Sequence, residues 1–126
     1  MYLLDTDVLI WVLRGREDIV EKVSELKESS NLCISVISIA EIYKNIFPSE
    51  LTTTEDFLDQ HIIFDTDQKI ARITGLYWQQ YHKQLKMLSL ADCLIAATAN
   101  VNSLTLVSLN IKHFPMNDIQ VFNPQS

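Results

Sequence analysis

Three carboxylates in this chain stand where their neighbours could give them chemistry to do. Asp5 closes the apolar run Tyr2-Leu3-Leu4, Glu41 lies in Ser38-Ile39-Ala40-Glu41, and Asp92 lies in Ser89-Leu90-Ala91-Asp92. An acid at the end of a first strand sits where ligands bind on an open α/β sheet, in the crevice beyond the carboxyl ends of the strands. An acid in the first turn of a helix points back toward the helix N-terminus. In a parallel α/β fold those N-termini share an edge with the strand ends, so all three acids converge. Carboxylates brought together raise one another's pKa unless a cation sits among them. Hard oxygen ligands in small number suit Mg²⁺ or Mn²⁺, and phosphoryl chemistry is the commonest use of such a centre.

Each acid also has a structural explanation. Asp5 could cap the next helix, although Thr6 and Asp7 lie closer to its start, and Asp7 reads as a cap rather than a ligand. Ser38 with Glu41 has the spacing of a capping box, and Ser89 with Asp92 has the same spacing. The Asp92 helix is otherwise almost wholly apolar, so a charge within it needs a reason. Downstream, Ser108 and Asn110 in Val107-Ser108-Leu109-Asn110 can accept a water or a metal, or simply form a turn. Lys112 or His113 could meet phosphate; His113 reads more naturally as a surface or turn histidine.

The elements that must position these residues follow from the apolar pattern. Strands are expected at residues 2–5, 32–34, 62–64, 104–107 and 119–122. The first helix should end near Arg14 with Gly15 as its C-cap, and a second occupies 17–28 with Ile19, Val23 and Leu26 on one stripe. A third begins around Ser38 and is over before Pro48. A short helix runs through Phe57 and Leu58, and a long one marked by Ile70, Ile73, Tyr77 and Tyr81 is capped by Asp65 or Thr66. Lys83–Leu88 is a basic connection, and Ser89 starts the last helix, Leu90–Ala99. Strands alternating with helices predict a three-layer α/β/α sandwich on a mainly parallel sheet, as one domain over 1–126.

Composition narrows the function. With 48% hydrophobic and 21% charged residues the chain reads as an ordinary globular protein. It has no bilayer-length apolar run and no secretory signal pattern, so a cytoplasmic location with no membrane contact is expected. Cys33 and Cys93 lack a ligand spacing and read as buried thiols rather than a disulfide or zinc site. A net charge of −6 argues against a broad basic surface for nucleic acid, yet not against a nuclease whose acids hold a divalent cation. With only two glycines the chain has neither a dinucleotide nor a triphosphate cradle.

Four stretches in order, Leu3–Ile10, Ser35–Ile42, Leu90–Ala99 and Val107–Phe114, resemble the PIN-domain ribonucleases of the VapC toxin type, and the resemblance runs from end to end. It implies that Asp5, Glu41 and Asp92 are metal-binding catalytic acids, with Asn110 at a fourth position where the family has Asp or Asn. Thr6 would support the site through its hydroxyl, and Ser108 stands where Thr is usual. The implied activity is Mg²⁺- or Mn²⁺-dependent endonucleolytic cleavage of RNA, leaving 5′-phosphate and 3′-hydroxyl ends, with structured RNA such as transfer RNA as substrate. A homodimer and a cognate VapB-type antitoxin are implied as partners. Arg14, Arg16, Lys44, Lys83, Lys86 and Lys112 are the candidates for RNA contact.

Two other readings compete. In a receiver-type phosphoacceptor domain, Asp5 and Asp7 would hold Mg²⁺, Asp65 would accept phosphate and Lys112 would complete the set, leaving Glu41 and Asp92 without a purpose. In a catalytically inactive PIN-like interaction module, the acids would serve no reaction at all.

Overall fold

A computed structural model describes residues 1–125. Five strands, β1 (Tyr2–Leu4), β2 (Leu32–Ser35), β3 (Ile62–Phe64), β4 (Thr105–Val107) and β5 (Gln120–Phe122), form one sheet in the order β3-β2-β1-β4-β5. Every neighbouring pair is parallel. Six helices connect them: α1 (Thr6–Leu13), α2 (Glu17–Ser29), α3 (Val36–Tyr43), α4 (Leu51–Leu58), α5 (Gln68–Tyr81) and α6 (Leu90–Val101). The three-layer α/β/α expectation is met, and β1 takes the central place.

Strand alternation divides the interior in two. Leu3, Cys33 and Leu106 face one core with Ile70 and Tyr77 of α5 and Cys93, Ile95, Ala96 and Ala99 of α6. Leu4, Ile34 and Val107 face the other with Val8, Leu9, Ile19, Val23, Ile42 and Leu58 from α1 to α4. The central strands β1, β2 and β4 are buried on both faces, which explains why they read as apolar runs rather than alternating ones, while the edge strands β3 and β5 are partly exposed. Both cysteines are buried and free, as their apolar settings predict. Among the described residues no helix is long and apolar enough to cross a membrane.

The order of connection creates the functional edge. The chain steps outward from β1 to β2 to β3, then crosses back through α5 and α6 to β4 on the far side of β1. The sense of progression therefore reverses between β1 and β4, and at such a switch point the loops leave the sheet in opposite directions and open a crevice.

Two helix starts differ from expectation. Helix α3 begins at Val36, not near Ser38, because Ser35 has extended backbone and its side chain accepts the Ile37 amide. The β-branched pair Val36-Ile37 looks like strand continuation in sequence but lies in the first helical turn. Helix α5 is capped by Asp67, whose Oδ1 accepts the Ile70 amide, rather than by Asp65 or Thr66.

Candidate metal centre

Asp5 is the first residue past β1 and the N-cap of α1, with its backbone extended at φ −68°, ψ 157°. Its Oδ1 accepts the Thr6 amide at 2.9 Å and its Oδ2 accepts the Ser108 hydroxyl at 2.8 Å. Asp5 thus does the capping that sequence assigned to Thr6 or Asp7: those two are already helical, and a cap must be extended. Capping orients the carboxylate without removing it from the site. The Ser108 contact crosses the switch point, since Ser108 is the first residue past β4.

Glu41 corrects the capping-box reading. Because α3 starts earlier, Glu41 lies beyond the first turn, and its Oε1 instead accepts the Thr6 hydroxyl at 2.6 Å. That hydroxyl also lies 2.9 Å from Ser38 Oγ. Thr6 thus ties α1 to α3 and supports Glu41. For Asp92 the capping box is real: Ser89 Oγ accepts the Asp92 amide at 3.0 Å, and Asp92 Oδ2 accepts the Ser89 amide at 3.3 Å. The same Oδ2 stands 3.6 Å from His113 Nδ1, so His113, a partly exposed histidine at the end of a short 3₁₀ turn, also faces an acid of the site.

Asn110 reaches none of the three acids. Its amide nitrogen donates to Asp7 Oδ2 at 2.5 Å, and its backbone N–H donates to Ser108 Oγ at 3.0 Å. Asp7 is thereby drawn into the constellation, which no local signal revealed because its partner lies 103 residues away. The cap assignment for Asp7 gives way to a place in the first turn of α1.

The electrostatics are those of crowded acids short of compensating charge. Burial raises the Asp5 pKa from 3.8 to about 7, with repulsion from Asp7 adding to it and the Ser108 and Thr6 hydrogen bonds opposing. Burial likewise raises Asp7. Ser108→Ala is expected to push Asp5 further up and to weaken Mn²⁺ binding about tenfold, measured by calorimetry.

Asp5, Asp7, Glu41 and Asp92 offer only hard oxygen donors, the chemistry that selects Mg²⁺ or Mn²⁺. Among the described residues, however, no three His, Cys, Asp or Glu side chains stand close enough to hold a metal ion as they lie. Glu41 is turned to Thr6 and Asp92 to Ser89, so both would have to rotate from those partners toward a cation. One side-chain atom speaks for the fit: Asp7 Oδ1 is buried beyond the reach of solvent and has no hydrogen-bond partner.

The basic candidates are dispersed. Arg14 and Arg16 lie over the Trp11 ring at 5.7 and 5.1 Å from its centroid, and Arg16 also pairs with Asp18. Arg14 and Glu41 both line a groove of about 240 Å³ between α1, α3 and α4. Lys44, Lys83, Lys86 and Lys112 are exposed on connections. The phosphoacceptor arrangement does not form: Asp65 follows the edge strand β3, and β2 separates it from β1, so Asp65 cannot share a cation with Asp5 and Asp7 across one crevice.

Comparison with known proteins supplies an independent line. The PIN domain family matches residues 2–115. Ribonuclease VapC10 of Mycobacterium tuberculosis is 35% identical over 116 residues, spanning 92% of this chain and 87% of that protein. Ribonuclease VapC2 of Haemophilus influenzae is 34% identical over 119 residues, spanning 90% and 89%. Among solved structures, DNA-bound VapBC from Salmonella typhimurium superposes with a TM-score of 0.81 at 26% identity, covering 98% of this chain and 97% of that one.

Proposed function

The chain belongs to the PIN-domain family of VapC-type ribonuclease toxins, and from that premise we propose that Asp5, Glu41 and Asp92 hold a divalent cation for endonucleolytic cleavage of RNA. The observation that carries this reading is the placement of Asp5: buried at the switch point between β1 and β4, with each carboxylate oxygen held by a hydrogen bond. Capping alone does not call for a carboxylate there, since burial opposes its ionisation and an uncharged Asn or Ser would cap as well. A bound Mg²⁺ or Mn²⁺ supplies neutralisation of phosphate charge and activation of water when present.

The chain's own residues divide the remaining work. Ser108 and the Thr6 amide fix the direction of Asp5, and the Thr6 hydroxyl fixes Glu41. Asp92 extends from the N-terminus of α6, where the helix dipole favours its negative charge. His113 beside Asp92 offers an N–H to a phosphate oxygen or a leaving oxygen. Arg14, in the groove that also holds Glu41, places a cation where an RNA backbone would enter. With a net charge of −6, local contacts of this kind must replace a broad basic surface.

The proposed substrate is structured RNA, transfer RNA included, and the proposed partners are a VapB-type antitoxin, for which the VapBC complex of Salmonella typhimurium is the precedent, and a second copy of this chain. The test is incubation of the purified protein with folded and unfolded RNAs in Mg²⁺, in Mn²⁺ and in EDTA. Discrete internal cuts bearing 5′-phosphates, abolished by EDTA, are expected. Cleavage that persists in EDTA would overturn the metal role.

A further inference from the structure

We infer that Asp7 is a fourth carboxylate ligand of this metal centre and that Asn110 serves it as a positioning residue, an inference that rests on the metal-dependent reading above. Three observations carry it. Asp7 Oδ2 is occupied by the Asn110 amide, which fixes the plane and direction of the carboxylate. The other oxygen, Oδ1, is buried with no partner, and it is the one such side-chain atom among the described residues. The backbone N–H groups of Val8 and Leu109 and the Asp5 carboxyl all face Asp7, yet none meets Oδ1 in hydrogen-bonding geometry.

A buried carboxylate oxygen left unpaired is unfavourable by more than a neutral group would be, and a cation at Oδ1 would relieve it. The geometry also explains what Asn110 can and cannot do. It is a neutral amide whose donor end is spent on Asp7, and its backbone N–H is spent on Ser108 Oγ, the same hydroxyl that donates to Asp5. Asn110 thus links both N-terminal acids without contributing charge. An amide that orients a ligating carboxylate from behind is the usual outer partner of a metal ligand. Asp7 then supplies the negative charge on the side of the site where Asn110 has none.

The experiment uses the full chain and Mn²⁺ as the probe, followed by calorimetry and by the rise in thermal midpoint that Mn²⁺ produces. Asp7→Asn is expected to weaken Mn²⁺ binding roughly tenfold or more and to shrink the Mn²⁺-induced rise, while leaving the metal-free midpoint unchanged or higher. The exchange variant Asp7→Asn with Asn110→Asp, which keeps the hydrogen bond but reverses donor and acceptor, is expected to recover most of the lost affinity. If Asp7→Asn binds Mn²⁺ as the natural chain does, or if it lowers only the metal-free midpoint, Asp7 is structural and the inference falls. Failure of the exchange variant to recover binding overturns the pairing with Asn110. If the natural chain itself shows neither binding nor a shifted midpoint, the metal-dependent reading fails, and the Asp7 assignment fails with it.

Discussion

Asp5→Asn is expected to reduce RNA cleavage on the order of 10³-fold while making the metal-free protein more stable. The loss follows from removing the carboxylate at the switch point: metal-derived charge stabilisation is worth several kcal/mol, and each 1.36 kcal/mol is tenfold in rate. The gain follows from burial. Asp5 is 6% exposed and its carboxyl resists ionisation up to about pH 7, so the natural protein carries an unfavourable buried charge at neutral pH that an amide of the same shape does not. The Thr6 amide can go on donating to the Asn Oδ1, and the Ser108 hydroxyl can turn to accept from the Asn Nδ2 instead of donating, so the fold has no reason to rearrange. Single-turnover cleavage and thermal unfolding in EDTA measure the two halves. A variant that loses activity and stability together would mean that Asp5 acts mainly as a helix cap.

The second large effect is a pH dependence of the metal-free protein. The folded-state pKa of Asp5 is raised from 3.8 to about 7, so below pH 3.8 the group is protonated in both folded and unfolded chains and costs nothing. As pH rises through that window the unfolded chain releases its proton while the folded one retains it, and stability falls; above about pH 7 the loss is complete. The loss for Asp5 is on the order of a few kcal/mol, and Asp7, also raised by burial, adds in the same direction. Denaturant unfolding at several pH values in EDTA measures it, and Asp5→Asn should flatten the difference between pH 4 and pH 8. Saturating Mn²⁺ should reverse the trend, since the cation binds the ionised acids and stabilises only the folded chain. Equal slopes for the natural chain and Asp5→Asn would remove Asp5 as the cause.

Much of this was legible in the sequence, for definable reasons. The central strands, buried on both faces, and the partly exposed edge strands alike leave short apolar-rich runs, so β1 to β5 and their alternation with helices could be read directly. The three acids could be placed on one edge because strand ends and helix starts share an edge in any parallel sheet. What the sequence hid depends on contacts rather than on patterns. Ser35 and Ser38 both suit an N-cap, and only backbone conformation decides for Ser35, which in turn frees Glu41 from its supposed box. Asp7 and Asn110 are each ordinary turn or cap residues in their own segments, and their pairing exists only because β1 and β4 lie side by side. His113 gained its place beside Asp92 in the same way.

The central position of β1 has a consequence for how the protein is made. Its neighbour β4 comes more than a hundred residues later, and the Asp5–Ser108 bond has a sequence separation of 103. During synthesis β1 and β2 can pair early, but the crevice has only one wall until residues 105–110 have left the ribosome. A truncation that stops before β4 is therefore expected to yield a fragment without nuclease activity, measurable by RNA cleavage. The second wall of the crevice is thus completed only when β4 joins β1, late in the chain.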